Sequence, residues 1–262
     1  MKIEAVVLGV GAPNTCSSGD KTMCAILLSK EIGLFRVYPI SGECRFPVWS
    51  NVQVELEEPK SDPRHESYHL TRYEIKSTIK DRHLKQDILE SCVLGSGTHD
   101  PIDFQNAQRS SIVLVKASPN SLGMTLISQP AEDDGDWVMT QSKAPAIARL
   151  NWQSMQGGNH KNKIVSREVF EWVRRNPTSI GGLIDNLQIY NRDFEKWILL
   201  GNMKNQLNAW VVVHIHRLKK TSHHFTPSFC DPMRGSADDW PYLKQRESNV
   251  SVADDQLLMF TT

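Results

Sequence analysis

The chain has 262 residues, 39% of them hydrophobic and 23% charged, and its 30 basic side chains balance its 30 acidic ones. This composition is ordinary for a soluble globular protein and leaves room for one large domain or two small ones. No apolar run approaches the roughly 20 residues that cross a bilayer, so we expect no transmembrane helix and no membrane partner.

The five cysteines are scattered, and none belongs to a Cys-x-x-Cys pair; they are Cys16, Cys24, Cys44, Cys92 and Cys230. This distribution argues against structural zinc and favours a reduced, cytoplasmic setting. The opening "MKIEAVVLGVG" reads as a first strand rather than as a targeting peptide. We expect no metal and no cofactor.

Charge is segregated along the chain. Residues 1–142 carry 14 Lys and Arg against 19 Asp and Glu, residues 143–220 carry 13 against 5, and residues 221–262 carry 3 against 6. A basic block between two acidic ones indicates a polyanionic partner. The alternative is that the blocks neutralise one another within the fold.

The first half of the chain predicts β-structure. Apolar runs such as "EAVVLG", "TMCAILLS" and "LFRVYPI" are bounded by turn-rich segments, and "NVQVELE" alternates as a strand with one wet face. In "IKDRHLKQDILESCVLGSG", Leu84, Ile88 and Cys92 are spaced four apart, which predicts an amphipathic helix that ends at Gly95.

The second half predicts a helix and a hairpin. "SREVFEWVRRN" has Ser166 as a candidate N-cap and is followed by Pro177, which stops the helix. "KWILLGNMKNQLNAWVVVHIHRLKK" reads as two apolar strands around a Gly- and Asn-rich turn.

These elements predict an α+β fold in four parts. Residues 1–128 form a mainly β N-terminal barrel or sheet with one packed helix, and residues 129–142 an acidic linker. Residues 143–221 form a smaller, basic domain of helix and β-hairpin, and residues 222–262 a flexible tail.

The segment "KSDPRHESYHLTRYEIK" carries two interpretations. In an extended chain Asp62, Arg64 and Glu66 share one face, which predicts a structural ion pair with the guanidinium between two carboxylates. Asp62 followed by Glu74 and Lys76 also resembles the acid and Glu-x-Lys pair of restriction-type nucleases. There the carboxylates would hold a metal and the lysine would steady the water or the phosphate. We favour the ion pair and keep the nuclease as the alternative.

The basic block is the predicted nucleic-acid surface. In "VVVHIHRLKK" strict alternation puts Val211, Val213 and Ile215 on one face and both histidines on the other. The expected nucleic-acid-binding residues are His214, His216, Arg217, Lys219, Lys220, Lys161, Lys163, Arg174 and Arg175. The aromatic residues of the block could include one that stacks on a base, although most are expected in the core; they are Trp152, Trp172, Tyr190, Trp197 and Trp210.

Near the end of the chain, "QLLMF" resembles the short motif by which bacterial proteins dock on the DNA sliding clamp. The resemblance implies that Gln256, Leu257, Met259 and Phe260 make the contact, the apolar side chains filling pockets of the partner. The open alternative is that the tail folds back on its own body.

Two longer blocks carry a wider resemblance. "FRVYPI" with Trp49 and "DPRHES", and later "LLGNMKNQLNAWVVV", are similar to uncharacterised bacterial proteins of mobile and defence-associated gene neighbourhoods. The resemblance implies a DNA-related or antiviral setting, not an activity.

The sequence thus favours a non-catalytic, nucleic-acid-associated subunit of a DNA-related or antiviral defence assembly. Its expected partners are DNA rather than RNA, other protein subunits and a sliding clamp. The alternatives are a metal-dependent nuclease, and a protein-interaction subunit or inhibitor that makes no nucleic-acid contact.

Overall fold

A computed structural model describes residues 1–15, 19–42, 44, 46–59, 62–93, 100–107, 110–129, 141–204 and 206–220. The residues of the clamp-like motif, Gln256 to Phe260, and the rest of the predicted tail lie outside these ranges, as does Gly95. Within the described ranges no helix combines the length and the apolar character needed to cross a membrane.

The N-terminal third forms a closed barrel, as the sequence predicts. Its strands are β1 (Lys2–Val10), β2 (Asn14–Thr15), β3 (Lys21–Ser29), β4 (Gly33–Ser41), β5 (Ser50–Glu57) and β6 (Ser67–Thr78). The pairing runs β1–β5–β6–β4–β3 and closes where β3 pairs with β1, while the short β2 extends the start of β3. All neighbours in the barrel are antiparallel except β4 and β6.

Burial on one or both faces accounts for the strand patterns of this barrel. In β5, apolar residues that include Val52 and Val54 fill the barrel and polar residues face outward, so the strand alternates. In β1, Val7 faces the barrel core, whereas Val6 and Leu8 face a second apolar cluster outside it. A strand buried on both faces loses the alternation and reads as a continuous apolar run.

The helix predicted after this barrel is present as α1 (Arg82–Cys92), and it packs against that outer cluster through Ile88 and Leu89. It begins at Asp81, whose carboxylate accepts a hydrogen bond of 2.9 Å from the Leu84 amide, a standard N-cap. A shorter helix, α2 (Pro101–Ala107), follows.

The rest of the described chain forms a second barrel. Its elements are β7 (Ile112–Lys116), β8 (Gly123–Ser128), β9 (Ala146–Gln153), β10 (Asn159–Lys163), α3 (Arg167–Arg175), α4 (Ile180–Asn186), β11 (Phe194–Met203) and β12 (Gln206–Lys219). The helix and the hairpin predicted here are therefore both present.

Two small antiparallel sheets, β8–β9–β10 and β7–β11–β12, make up this barrel. They are joined by a parallel bridge between Ile164, just after β10, and Val212 of β12, and by an antiparallel bridge between Ala117, just after β7, and Ser154, just after β9. Together the six strands surround one apolar core, which the helices α3 and α4 cover with Val169, Val173 and Leu183. β7 and β8 can be taken as two parts of one bent strand. The second barrel then has five strands in the same order as the first, with its third strand, β10, beside its fifth, β12.

Residues 130–140, most of the predicted linker, lie outside the described ranges. The strands on either side of them, β8 and β9, pair along Gly123–Ser128 and Ala146–Asn151 and belong to the same barrel. The change from one barrel to the other occurs earlier, after α1.

A buried polar network ties the two barrels together. Arg64 donates hydrogen bonds from Nε and Nη2 to the Asp62 carboxylate at 2.8 and 2.6 Å, and from Nη1 to the Asn202 carbonyl oxygen at 2.9 Å. The side chains of Arg64 and Asp62 are only 6% and 5% exposed, so this ion pair is internal. Burial acts to raise the pKa of Asp62, but the hydrogen bonds from Arg64 outweigh it and the pKa is lowered.

Glu66 does not complete the predicted trio with Arg64. Its carboxylate instead accepts hydrogen bonds from the Ser110 hydroxyl at 2.6 Å and the Ser111 amide at 3.0 Å. Arg36 of β4 donates to the carbonyl oxygen of the same Ser111 at 2.9 Å. The Asp62–Arg64 pair is present in the structure. Together with Arg36 and Glu66 it links the first barrel to Asn202 of β11 and to the two serines that precede β7.

Candidate nucleic-acid interface

The outer face of β8, β9 and β10, here called the basic face, presents a continuous set of polar and basic side chains. In β9, Leu150 and Trp152 point into the second barrel, so Arg149, Asn151 and Gln153 point outward. The residues of the basic face are Thr125, Arg149, Asn151, Gln153, Asn159, Lys161 and Lys163.

The strand register sets the charges side by side. Arg149 lies directly opposite Lys163 and Asn151 directly opposite Lys161, and residues paired in this way share one face of an antiparallel sheet. Two of the predicted nucleic-acid-binding residues, Lys161 and Lys163, therefore meet here. Sequence analysis missed Arg149, although the alternation in "AIARLNWQ" could have placed it on the outer face.

The positive charges of this face are not neutralised within the described residues. Arg149, Lys161 and Lys163 form no ion pair there, and the Arg149 Nε has no hydrogen-bond partner. Burial lowers the pKa of Lys163, and the charge of Arg149 lowers it further. An anion placed against this face would oppose both effects, because its charge stabilises the protonated lysine.

The carboxylate of Asp100 is engaged on the inner side of the same sheet. It accepts a hydrogen bond from the Ser154 hydroxyl at 2.7 Å and lies 2.9 Å from Nε2 of His160, whose ring stacks on Trp152. This carboxylate therefore does not offset the cations of the basic face.

A cleft of about 310 Å³ lies beyond one end of the basic face. The turn that lines it includes Ser118, whose amide donates to the Gln153 carbonyl oxygen at 2.9 Å, so the turn joins the end of β9 to the cleft. Four basic residues line the cleft, Lys116, Arg192, Lys196 and Lys220, and Tyr190 stands beside them with 62% of its surface exposed.

Of the five aromatic candidates, Tyr190 is the one that the structure leaves exposed for stacking. Of the other four candidates, Trp152, Trp197 and Trp210 are buried in apolar cores and Trp172 packs partly buried against the core of the second barrel. Lys220, which was predicted to bind phosphate, lines the cleft, and its neighbour Lys219 is also exposed.

The predicted histidines do not lie on a nucleic-acid surface. His214 and His216 are 7% and 2% exposed, and they face the first barrel, where the rings of His216 and Trp49 are 5.0 Å apart. The histidines alternate with Ile215 as predicted, since His214, Ile215 and His216 pair in turn with Leu199, Ile198 and Trp197. The error is in the exposure of their face, because Leu199 and Trp197, which share it, belong to the apolar cluster between the barrels, and β12 is buried on both faces.

The remaining predicted cations are already paired. Arg217 donates to Glu168 at 2.7 Å. Arg174 and Arg175 both reach Glu171 on the same helix, at 3.1 and 3.7 Å, as exposed pairs three and four residues apart. Their charges contribute less to an anion site than those of Lys161 and Lys163.

The residues of the nuclease alternative are not brought together. Asp62 lies in a corner that His69 also lines, and Glu74 lies five residues beyond His69 along β6, a separation of about 16 Å. Glu74 forms an exposed ion pair with Lys76 at 2.7 Å. Across the ranges that the structure describes, no group of three or more His, Cys, Asp or Glu side chains is placed to hold a metal ion.

Comparisons with known proteins add little to this geometry. No curated protein matches the chain. A solved structure of a murine DNA-binding protein bound to double-stranded DNA is similar at 8% identity over 84% of this chain and 100% of that chain, with a TM-score of 0.30, which does not establish a shared fold. A family model described as "Domain of unknown function (DUF8758)" matches residues 1–90, the first barrel and most of α1.

Proposed function

We propose that the protein binds a single strand of nucleic acid, DNA in preference to RNA, along the basic face and without cutting it. The observation that carries this proposal is the row of Arg149, Lys161 and Lys163, side by side on one sheet face with no carboxylate paired to them among the described residues. A track of cations of this kind neutralises phosphates spaced along a backbone.

The architecture around the face supports the same conclusion. β9 and β10 are the second and third strands of a five-stranded Greek-key barrel when β7 and β8 count as one strand. In OB-folds, which have this architecture, the face of strands 2 and 3 is where oligonucleotides or oligosaccharides bind. The positive charge favours the oligonucleotide, since a neutral sugar chain would leave the cations without counter-charge.

The test compares two double variants that each remove two positive charges. Lys161→Ala with Lys163→Ala removes cations from the basic face, whereas Arg174→Ala with Arg175→Ala removes cations already paired to Glu171. Binding of a labelled single-stranded oligonucleotide is followed by fluorescence anisotropy across a salt series. For the first variant we expect the slope of the logarithm of the binding constant against the logarithm of the salt concentration to fall by about 1.4 in magnitude, which is about 0.7 for each phosphate that is no longer neutralised.

The control variant should keep the wild-type slope. Absence of binding at low salt, or an equal loss in both variants, would remove the basic face as the binding surface. The protein-interaction alternative would then lead. Metal-dependent cleavage abolished by Lys76→Ala would instead support the nuclease, and this surface change leaves the fold intact.

The assembly around this activity is proposed from the sequence. The blocks that resemble defence-associated proteins favour a DNA-related or antiviral complex, and the resemblance of Gln256–Phe260 to a clamp-binding motif favours a sliding clamp as one of its subunits. The measurement is capture of a bacterial clamp by the intact chain and by a chain ending at residue 253. Equal capture, or none by the intact chain, rules the motif out.

A further inference from the structure

Nucleic-acid binding along the basic face does not account for the shape or the charge of the cleft beside it. It opens between the turn that follows β7 and the connection from α4 to β11, and Lys220 at the end of β12 closes one side. Its volume of about 310 Å³ falls at the lower end of the range for small-ligand sites.

The charges of the cleft leave three cations for a ligand. Glu195 also lines it, but its carboxylate lies 3.0 Å from the Lys116 ammonium, which pairs with Glu90 as well. No described carboxylate pairs with Arg192, Lys196 or Lys220. An anion is therefore the ligand charge that this cleft favours.

Of the three cations, Lys196 gives the strongest indication of an anionic ligand. It is 9% exposed, and its ammonium donates to the Asn191 carbonyl oxygen rather than to an acid. Burial lowers its pKa, and the nearby charge of Lys220 lowers it further. A phosphate in the cleft would stabilise the charged form of this lysine, and the lysine would in return hold the phosphate.

Tyr190 is exposed on a segment that its own hydrogen bonds hold in place. Gln188 adopts a left-handed backbone with a φ of 53°, the Ile189 amide donates to the Ile184 carbonyl oxygen, and the Asn191 side-chain amide donates to the Gln188 side-chain oxygen. The ring thus stands at the rim of the cleft on a fixed support, and an exposed, preorganised aromatic ring suits a stacked base.

We propose that the cleft binds one phosphate-bearing nucleotide unit, with its base on Tyr190 and its phosphate among Arg192, Lys196 and Lys220. The inference rests on the proposed function where the unit belongs to a bound strand, because the turn at Ser118 connects the cleft to the basic face. A free nucleotide has the same chemistry, and the experiment separates the two sources.

The experiment uses the full chain with Tyr190→Ala and the matched Tyr190→Phe, both at an exposed position that leaves the core unchanged. The probes are a labelled single-stranded oligonucleotide and the mononucleotide dAMP. We expect Tyr190→Ala to weaken oligonucleotide binding by about 5-fold to about 150-fold, the range for one stacked base, without changing the salt slope. Tyr190→Phe keeps the ring and should bind as the wild type does.

The outcomes separate this inference from the proposed function. If the Lys161/Lys163 variant binds the oligonucleotide weakly but Tyr190→Ala binds both probes as the wild type does, the cleft proposal fails and the basic face stands. If dAMP binding depends on Tyr190 while oligonucleotide binding does not, the cleft holds a free nucleotide. If the wild type binds neither probe, both proposals fall.

Discussion

His214 and His216 lie where the two barrels meet, and their burial should make the protein sensitive to acid. Burial lowers the pKa of His214 to about 4, with the charge of Glu168 opposing and that of Arg217 adding to the effect. Burial also lowers the pKa of His216 well below its usual value, and the neighbouring His214 lowers it further. Both rings are therefore neutral in the folded protein at neutral pH.

The sign of the pH dependence follows from these shifts. In the unfolded chain His214 takes up a proton near pH 6.5, whereas in the folded protein it does so only near 4. The stability that the neutral ring contributes is therefore complete above about pH 6.5 and is lost as the pH falls from there towards about 4. For His214 alone the loss at pH 5 is about 2 kcal/mol.

Chemical denaturation at pH 8 and pH 5 measures this loss. His214→Gln, which cannot be protonated, should show a smaller fall in the free energy of unfolding between the two pH values than the wild type. His65→Gln, the same change at an exposed histidine, should leave the fall unchanged. Identical pH dependence in all three proteins would mean that His214 is not the group responsible.

For single residues, the sequence indicates which interactions a side chain can form better than it indicates where in the fold that side chain lies. Asp62 and Arg64 are two residues apart, so their ion pair follows from local geometry, and the structure contains it. Glu66 is equally close, yet it bonds to Ser110 and Ser111, which only the folded chain brings near. The histidines share one face of β12 as predicted, but the first barrel covers that face, which only the folded chain shows.

Among the elements, those whose signal is local were predictable. The alternation of β5, the stripe of α1 and the two strands of the β11–β12 hairpin each lie within one stretch of sequence, and each is present. The Ser166 position of α3 is also correct, although its side chain makes no capping hydrogen bond. Pairings between distant elements, such as β7 with β11, leave no local signal.

In the candidate site, too, local features were predictable and contacts between distant segments were not. The basic block and its lysines were visible in the charge pattern, and Lys161 and Lys163 lie on the proposed face. That Arg149 joins them depends on the register of β9 against β10. The cleft around Tyr190 brings together the turn after β7, the loop before β11 and the end of β12, so no single segment could reveal it.

At the scale of the whole molecule, each barrel buries apolar surface against the other, and that surface would be exposed if either barrel stood alone. The outer cluster joins Val6 and Leu8 of the first barrel to Leu114, Trp197 and Leu199 of the second, all of them nearly inaccessible to solvent. Separating the barrels would expose this apolar surface, and each square ångström exposed costs roughly 25 cal/mol.

The polar network adds to the cost of separation. Without the second barrel, Arg36 and Glu66 would lose Ser111, and Arg64 would lose the Asn202 carbonyl oxygen. Water can replace these partners once the barrels separate, so the network contributes less to the cost than the apolar surface does. Although residues 1–90 match a family model by themselves, the structure makes them one half of a joint core.

We therefore expect a fragment of residues 1–93, the first barrel with α1, to be much less stable than a fragment of residues 1–220, which retains both barrels. Thermal melting followed by circular dichroism should give the shorter fragment a lower midpoint or no cooperative transition, and it should bind a hydrophobic dye such as ANS that the longer one does not. The dye reports the uncovered faces of β1 and β3, where Val6, Leu8, Ile26 and Leu28 are left without the second barrel. A shorter fragment that melts cooperatively at the midpoint of the longer one, without binding dye, would show that the first barrel is an independent domain and that the packing between the barrels contributes little to its stability.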